Sequence, residues 1–341
     1  MVASELSREE GTAPVAFPSE FTILQGVAIA VIIPCHNEAS AIATVIRDFR
    51  AALPTAKIYV YDNNSTDDTV TVARTEGAVV RSEPLQGKGN VVRRMFADID
   101  ADVYVLVDGD DTYHAPSAPG MIRHLLRDQL DMVNGQRVTD IAAAYRPGHQ
   151  LGNKLLTGMV ALIFGNRIQD MLSGYRVLSR RFVKSFPALS SGFETETEFS
   201  VHALELKMPI AEVATPYKDR PAGSTSKLRT FHDGFRILRT IMMLVKEERP
   251  LQFFGAVFGL LATASIVLAT PVVLEFLAIG LVPRLPTAVL AAATMLLAFL
   301  SLVCGLILDT VTHGRRELKR LHYLRIPAPG IRPAEPASGG V

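Results

Sequence analysis

Val103-Tyr104-Val105-Leu106-Val107-Asp108-Gly109-Asp110-Asp111 holds five β-prone residues followed by three carboxylates within four positions. An apolar run of this length reads as a buried strand, and the acids end it at a loop. In open α/β sheets ligands bind beyond the carboxyl ends of the strands. The Asp-x-Asp spacing of Asp108 and Asp110 lets two hard oxygen ligands hold a divalent cation against a diphosphate. Taken alone, the same residues also suit a solvated acidic turn.

Working outward, the flanking pattern alternates. A strand is expected over 28–33, a helix over 39–53, a strand over 57–61, a helix over 67–76 and a short strand over 78–81. A helix opening near Gly89 then precedes the strand 103–107, a helix over 117–127 and a strand over 131–134. Helices over 151–164 and 198–206 and a late strand over 210–213 complete the set. Such alternation implies a mainly parallel sheet covered on both faces, an α/β fold. Asn63-Asn64-Ser65-Thr66-Asp67-Asp68 is a dense run of turn and cap residues that could cap a helix or seat a phosphate.

The chain has 341 residues, 48% of them hydrophobic, a net charge of +1 and two cysteines. Its mean hydropathy of +0.23 is raised by two late segments. Phe253–Leu274 runs 22 residues without a charge and Leu285–Leu308 runs 24, each long enough to cross a hydrocarbon layer of ~30 Å. Arg229, Arg236, Arg239, Lys246 and Arg249 precede the pair, and Arg315, Arg316, Lys319, Arg320 and Arg325 follow it. The positive-inside rule places both large ends in the cytoplasm. Phe231, Phe235, Leu238, Met242 and Val245 recur at three- and four-residue spacing, which suits a helix lying in the membrane interface or an ordinary packing helix. The expected organisation is a loose tail over 1–25, a catalytic domain over 26–228, a juxtamembrane helix over 229–250, two spans within 251–310 and a cytoplasmic tail over 311–341. Cys35 ends a strand and Cys304 lies in a span, so a disulfide is not expected and a reducing compartment fits.

Four strand-end motifs follow one another: Val31-Ile32-Ile33-Pro34-Cys35-His36-Asn37-Glu38, Tyr61-Asp62-Asn63-Asn64-Ser65-Thr66-Asp67-Asp68, Gly87-Lys88-Gly89 and Asp108-Gly109-Asp110. In this order, with the paired spans behind them, the chain resembles family 2 glycosyltransferases, specifically the polyprenyl-phosphate (dolichol- or undecaprenyl-phosphate) glycosyltransferases. The resemblance covers roughly residues 28–310 and implies a type A nucleotide-sugar, Rossmann-like domain followed by an interfacial helix and two transmembrane helices. It implies that Pro34, Asn37 and Glu38 line the nucleotide site, that Asp62 accepts a hydrogen from the base, and that Lys88 faces the diphosphate. Asp108 and Asp110 would hold Mg²⁺ or Mn²⁺, with Asp111 orienting the site. Where the family often carries a second Asp and a Gly after the first, this chain has Asn63 and Asn64.

Gly135-Gln136-Arg137 and Asp170-Met171-Leu172-Ser173-Gly174-Tyr175-Arg176 resemble the family's acceptor motifs. Residues 220–227 resemble its Arg-x-x-Gly-x-Ser-Lys with one extra residue before Ser226. The resemblance thus implies Arg220 and Lys227 on the donor, and Arg137, Arg146, Lys154, Ser173 and Arg176 on the acceptor phosphate. The expected reaction is inverting transfer of a hexose from a nucleotide-diphosphate sugar, a UDP-sugar such as UDP-glucose or alternatively GDP-mannose, to undecaprenyl phosphate at the inner (cytoplasmic) membrane. Membrane and lipid partners and a homo-oligomer are expected; nucleic acid is not. A non-catalytic membrane scaffold is the reading from another class. The absence of Trp speaks against a processive synthase with a Gln-x-x-Arg-Trp brace. A dehydrogenase would need Gly-x-Gly-x-x-Gly after the first strand.

Overall fold

The computed structural model describes residues 26–138, 168–188, 194–218 and 246–330, with single positions 158, 192 and 243. The elements are β1 (Ile29–Cys35), α1 (Ile42–Ala52), β2 (Lys57–Asp62), α2 (Thr69–Thr75), β3 (Val79–Ser82), α3 (Lys88–Asp98), β4 (Val103–Leu106), α4 (Ala118–Arg127), β5 (Met132–Val138), β6 (Arg176–Ser179), α5 (Arg180–Ser185), α6 (Thr195–Glu205), β7 (Ile210–Pro216), α7 (Pro250–Ile279) and α8 (Leu285–Leu324). Seven strands form one sheet in the order β3-β2-β1-β4-β6-β5-β7. Among the described residues only β6 runs against its neighbours, pairing antiparallel to β4 and β5. The expected mainly parallel α/β sheet is therefore present.

The alternation along the central strands explains why both faces are covered. Ile29, Val31, Ile33 and Cys35 of β1, with Val103 and Val105 of β4, join α1 and α4 in one core. Ala30, Ile32, Tyr104 and Leu106 point the other way, to α3, α5 and α6. A period of two with both sets apolar is what a doubly covered strand requires. Because β2 and β4 flank β1 on opposite sides, the order reverses there, and the loops after β1, β2 and β4 meet at one rim.

Two elements were not foreseen. Strand β6 is four residues long and begins with Arg176, which is fully buried; α5 follows without a break. Neither shows an apolar period long enough to read. Helix α6 begins at Thr195, three residues earlier than expected, with Glu196 and Glu198 in its first turn, where acids favour the helix dipole. The helix expected over 151–164 and most of the amphipathic segment over 230–246 lie outside the described residues.

Helices α7 and α8, with mean hydropathies of 2.2 and 2.4 over their most apolar windows, are long and apolar enough to cross a membrane. Ala291, Ala298, Gly305 and Thr312 recur every seven residues and are the buried positions of α8. A Cβ at Gly305 would come within 2.9 Å of the Phe254 Cβ, so the two helices approach closely through small residues. Ser265 and Ser301 hydroxyls donate to the Ala291 and Phe254 carbonyls across the pair at 2.7 and 3.1 Å.

Helix α8 has 40 residues, about 60 Å, twice the hydrocarbon thickness. It continues through residue 311 to Leu324, and its end docks against α5 and α6. Lys319 meets Glu205 at 2.7 Å, and the Tyr323 hydroxyl donates to the fully buried Asp131 at 2.7 Å. Arg181 pairs with the same carboxylate and stacks 4.5 Å over the Tyr323 ring. His322 Nε2 donates to the Lys184 carbonyl at 3.0 Å.

Beside this seam His202 is buried against the Ser185 hydroxyl and the Phe182 and Phe186 rings. Burial, aided by the Lys319 charge, pushes the imidazole down to about 3. The folded value lies below the unfolded one near 6.5, so stability is full above about pH 6.5 and falls on acidification toward 3, at ~1.4 kcal/mol per pH unit. Thermal unfolding of the full chain between pH 7.5 and 5.5 should show that decline, and His202→Gln should flatten it; an unchanged slope would remove His202 as its source.

Candidate active site at the carboxyl rim of the sheet

Backbone and side-chain bonds lock the loops after β1 and β2 together. The Asn37 N–H donates to Ser65 Oγ at 2.9 Å, and its side-chain oxygen accepts from the Thr66 N–H at 2.8 Å. The Glu38 N–H donates to Thr69 Oγ1 at 2.9 Å. Pro34 sits half-buried at the end of β1. Asp62 is buried at the end of β2, and both its oxygens face the Ser65 N–H at 3.3 Å. Asn37, Asn64 and Asp111 all adopt positive φ, at 54°, 62° and 56°. Left-handed backbone in non-glycine residues carries strain that persists where surrounding structure enforces it, commonly at functional loops.

Asn63 and Asn64 have a structural task. The Asn63 amide donates to the Glu83 and Leu85 carbonyls at 2.9 and 2.8 Å and accepts from the Gly87 N–H at 2.7 Å. Asn64 donates to the Pro84 carbonyl at 2.9 Å. Together they pin the segment 83–87 that delivers Lys88. A carboxylate at 63 has no proton to donate to those carbonyls. Asn tolerates the left-handed φ at 64 better than most residues.

Lys88 opens α3 and reaches Asp108 Oδ1 and Glu196 Oε1, both at 2.5 Å. Burial alone would depress the ammonium, but the Asp108 and Glu196 carboxylates more than reverse this and raise its pKa above the ordinary value. Lys88 is therefore a fixed positive charge. Glu196 is 5% exposed and its Oε2 is buried without a hydrogen-bond partner. Sequence reading missed Glu196; the signal was the Glu-Thr-Glu-Thr-Glu run over 194–198 at a helix start.

Asp108 and Asp110 flank a glycine that packing requires. A Cβ at Gly109 would stand 2.7 Å from Cys35 Sγ, and one at Gly174 would collide with the Asp108 carboxylate. Asp110 is buried and accepts from the Thr112 hydroxyl at 2.7 Å. Asp111 instead faces Lys218, 3.3 Å away. Among the described residues no group of three or more His, Cys, Asp or Glu gathers. The carboxylate oxygens of Asp108 and Asp110 are hard ligands of the kind that would suit Mg²⁺ or Mn²⁺.

The residues expected on the acceptor side part company. Arg137 forms a fork on Asp170 at 2.8 and 2.7 Å and lies 5.6 Å over the Tyr217 ring. Although burial pulls both toward neutrality, the pair holds Asp170 below and Arg137 above its usual range. Ser173 is buried, donating to the Gly135 carbonyl at 2.6 Å. Arg176, fully buried, donates to the carbonyls of Ser173, Met171 and Glu196 and to the Ser200 hydroxyl. Burial lowers it to about 10. Arg176 braces the loop before β6 against α6, and in this arrangement its donors are spent on protein rather than offered to a phosphate. Arg146, Lys154, Arg220 and Lys227 lie outside the described residues.

The family model for glycosyl transferase family 2 matches residues 30–186. Glycosyltransferase AglJ of Haloferax volcanii is 33% identical over 305 residues, spanning 87% of this chain and 98% of that protein. The chain belongs to glycosyl transferase family 2. The dolichyl-phosphate hexose transferase of the same organism is 29% identical over 221 residues, 65% of this chain and 95% of that protein. Glucosyl-3-phosphoglycerate synthase of Mycobacterium tuberculosis, solved with Mn²⁺, UDP-glucose and phosphoglyceric acid, superposes with a TM-score of 0.52. It covers 67% of this chain and 82% of its own at 23% identity, a likeness of fold.

The Asn63 network predicts that Asn63→Asp lowers stability by about 1–3 kcal/mol, the cost of leaving buried carbonyls unpaired. Denaturant unfolding of both proteins measures it; equal midpoints would show that the amide contributes nothing.

Proposed function

We propose that this glycosyltransferase moves a hexose from a UDP-sugar, glucose or a close relative, to the phosphate of a polyprenyl lipid such as undecaprenyl phosphate, with inversion at the anomeric carbon. The carrying observation is a juxtaposition. Asp108, gripped by Lys88 at the rim of the sheet, belongs to a domain bolted by buried ion pairs to a helix long enough to cross a bilayer. An enzyme fixed at a membrane surface suits an acceptor whose tail cannot leave it. The relative named dolichyl-phosphate hexose transferase supports that acceptor class, and the UDP-glucose-bound fold relative supports the donor class.

Asp108 and Asp110 would hold a divalent cation, Mg²⁺ or Mn²⁺, which when bound neutralises the charge that builds on the departing diphosphate. Lys88 adds a second, protein-borne positive charge at the same place. Pro34, Asn37, Glu38 and Asp62 shape the nucleotide end, and Asp111 helps orient the rim. A phosphate monoester with a second pKa of ~6 is already ionised near neutrality, so the nucleophile requires no strong general base. The protein contributes position and electrostatics. Arg137, at the end of β5, is the described cation best placed to share its fork between Asp170 and an acceptor phosphate. The positive flanks of the two spans support a site on the cytoplasmic side, taken as the face of the inner membrane, and a homo-oligomeric assembly is part of the same proposal.

Incubating the purified full-length chain with radiolabelled UDP-glucose, other UDP-hexoses or GDP-mannose plus undecaprenyl phosphate, then extracting the lipid, tests the assignment directly. Label in the lipid phase with a UDP-sugar supports it; label only with GDP-mannose moves the donor. Transfer only to a free hydroxyl acceptor, or no transfer with any donor, overturns it. Asp110→Ala should abolish transfer while leaving membrane insertion intact, and undiminished turnover would contradict the metal-binding role. Arg137→Lys keeps the charge but loses the fork. It should raise the lipid acceptor's KM about tenfold, ~1.4 kcal/mol, with the donor's KM little changed; an effect confined to the donor would move Arg137 to the diphosphate side.

A further inference from the structure

Helix α6 carries an ion pair at each end. At its start Glu196 holds Lys88, the partner of Asp108. At its last residue Glu205, whose side chain is 1% exposed, meets Lys319 at 2.7 Å and Arg316 at 3.5 Å, both on the cytoplasmic extension of α8. Nine positions at about 100° and ~1.5 Å each place the two acids on opposite faces, about 13 Å apart along the axis. Arg316 is also paired with Glu248, just before α7, at 3.0 Å. The extension therefore grips the residues entering one span and the far end of α6 at once. Between its ends α6 cannot shift freely. Phe199 is fully buried against Phe96, Phe182 and Phe186, and Arg176 ties the Glu196 carbonyl and the Ser200 hydroxyl to the acceptor-side loop. A rigid, close-packed element transmits displacement rather than absorbing it.

We propose that Glu205, Lys319 and Arg316 are positioning residues for the nucleotide site: through α6 they set where Glu196 holds Lys88, so that the seating of the second membrane helix governs how the diphosphate is gripped. The proposal rests on the nucleotide-sugar reading of the site. A clamp that merely anchored the domain would behave differently. It would alter how the site faces the bilayer and hence the KM of the lipid, but not the affinity for a soluble nucleotide, which needs no particular orientation to the membrane.

The test is calorimetric titration of UDP, with GDP in parallel, into the full-length chain in detergent with excess Mn²⁺. Lys319→Met should weaken nucleotide binding by about fivefold, within the range of coupled contacts, and Lys319→Arg should restore it. Glu205→Gln, the second variant, should weaken binding in the same direction, and thermal unfolding of each variant reports whether it is folded. In a Glu196→Gln background the Lys319→Met effect should vanish, because its route passes through Glu196. Folded variants with unchanged nucleotide affinity and only a raised lipid KM would overturn the coupling. So would effects that multiply independently in the double variant. A wild-type chain that binds neither nucleotide would instead refute the donor reading, and the coupling would fall with it.

Discussion

A single ammonium between two carboxylates sets the terms for the rest of the site. Lys88, 10% exposed at its side chain, is held between Asp108 and Glu196 at 2.5 Å each, and the two carboxylates more than offset the desolvation of its charge. Taking such charges from water costs several kcal/mol each, and only close pairing offsets that. Consequently the chain must deliver Lys88 accurately. The Asn63 and Asn64 amides fix the segment before it, while Arg176 and the aromatic cluster around Phe199 fix the helix behind Glu196. Removing Lys88 would leave the Asp108 and Glu196 carboxylates without the ammonium that pairs them, and the surrounding polar residues hold that ammonium in place.

The same logic separates residues that can act from residues that hold. Asp108 and Lys88 set charge at the sheet rim, where the proposed diphosphate would meet it, with Asp110 buried in the same loop. Arg176 and Ser173 lie in the same stretch of sequence as the acceptor-side motif, but their donors are consumed by backbone carbonyls. Arg137 stands between these cases, paired with Asp170 yet placed at the end of β5, so phosphate binding there requires sharing the fork rather than merely filling a vacant one.

The parts of the fold that were legible in sequence are those written in long apolar periods. Val103–Val107 and the first strand are doubly buried, and the two uncharged runs become α7 and α8. The strand-end carboxylates were legible because acids directly after such strands have few structural uses. Strand β6 escaped because four residues headed by an arginine carry no period, and a fully buried Arg176 contradicts the usual rule for that residue. Glu196 escaped because its meaning depends on Lys88, 108 positions away. The docked end of α8 escaped because its basic residues also satisfy the positive-inside pattern; only tertiary structure shows that Lys319 and Arg316 face Glu205 rather than lipid headgroups alone.

Placed together, these features describe a family 2 glycosyltransferase whose electrostatic centre is built at the rim of the sheet and whose second long apolar helix is docked on the same domain. The most direct measurement is lipid-linked sugar formation by the purified chain after exhaustive chelation, followed by return of Mg²⁺ or Mn²⁺. The account predicts that labelled glycolipid disappears on chelation and returns with the cation; glycolipid formation that continues undiminished in the stripped protein would contradict it.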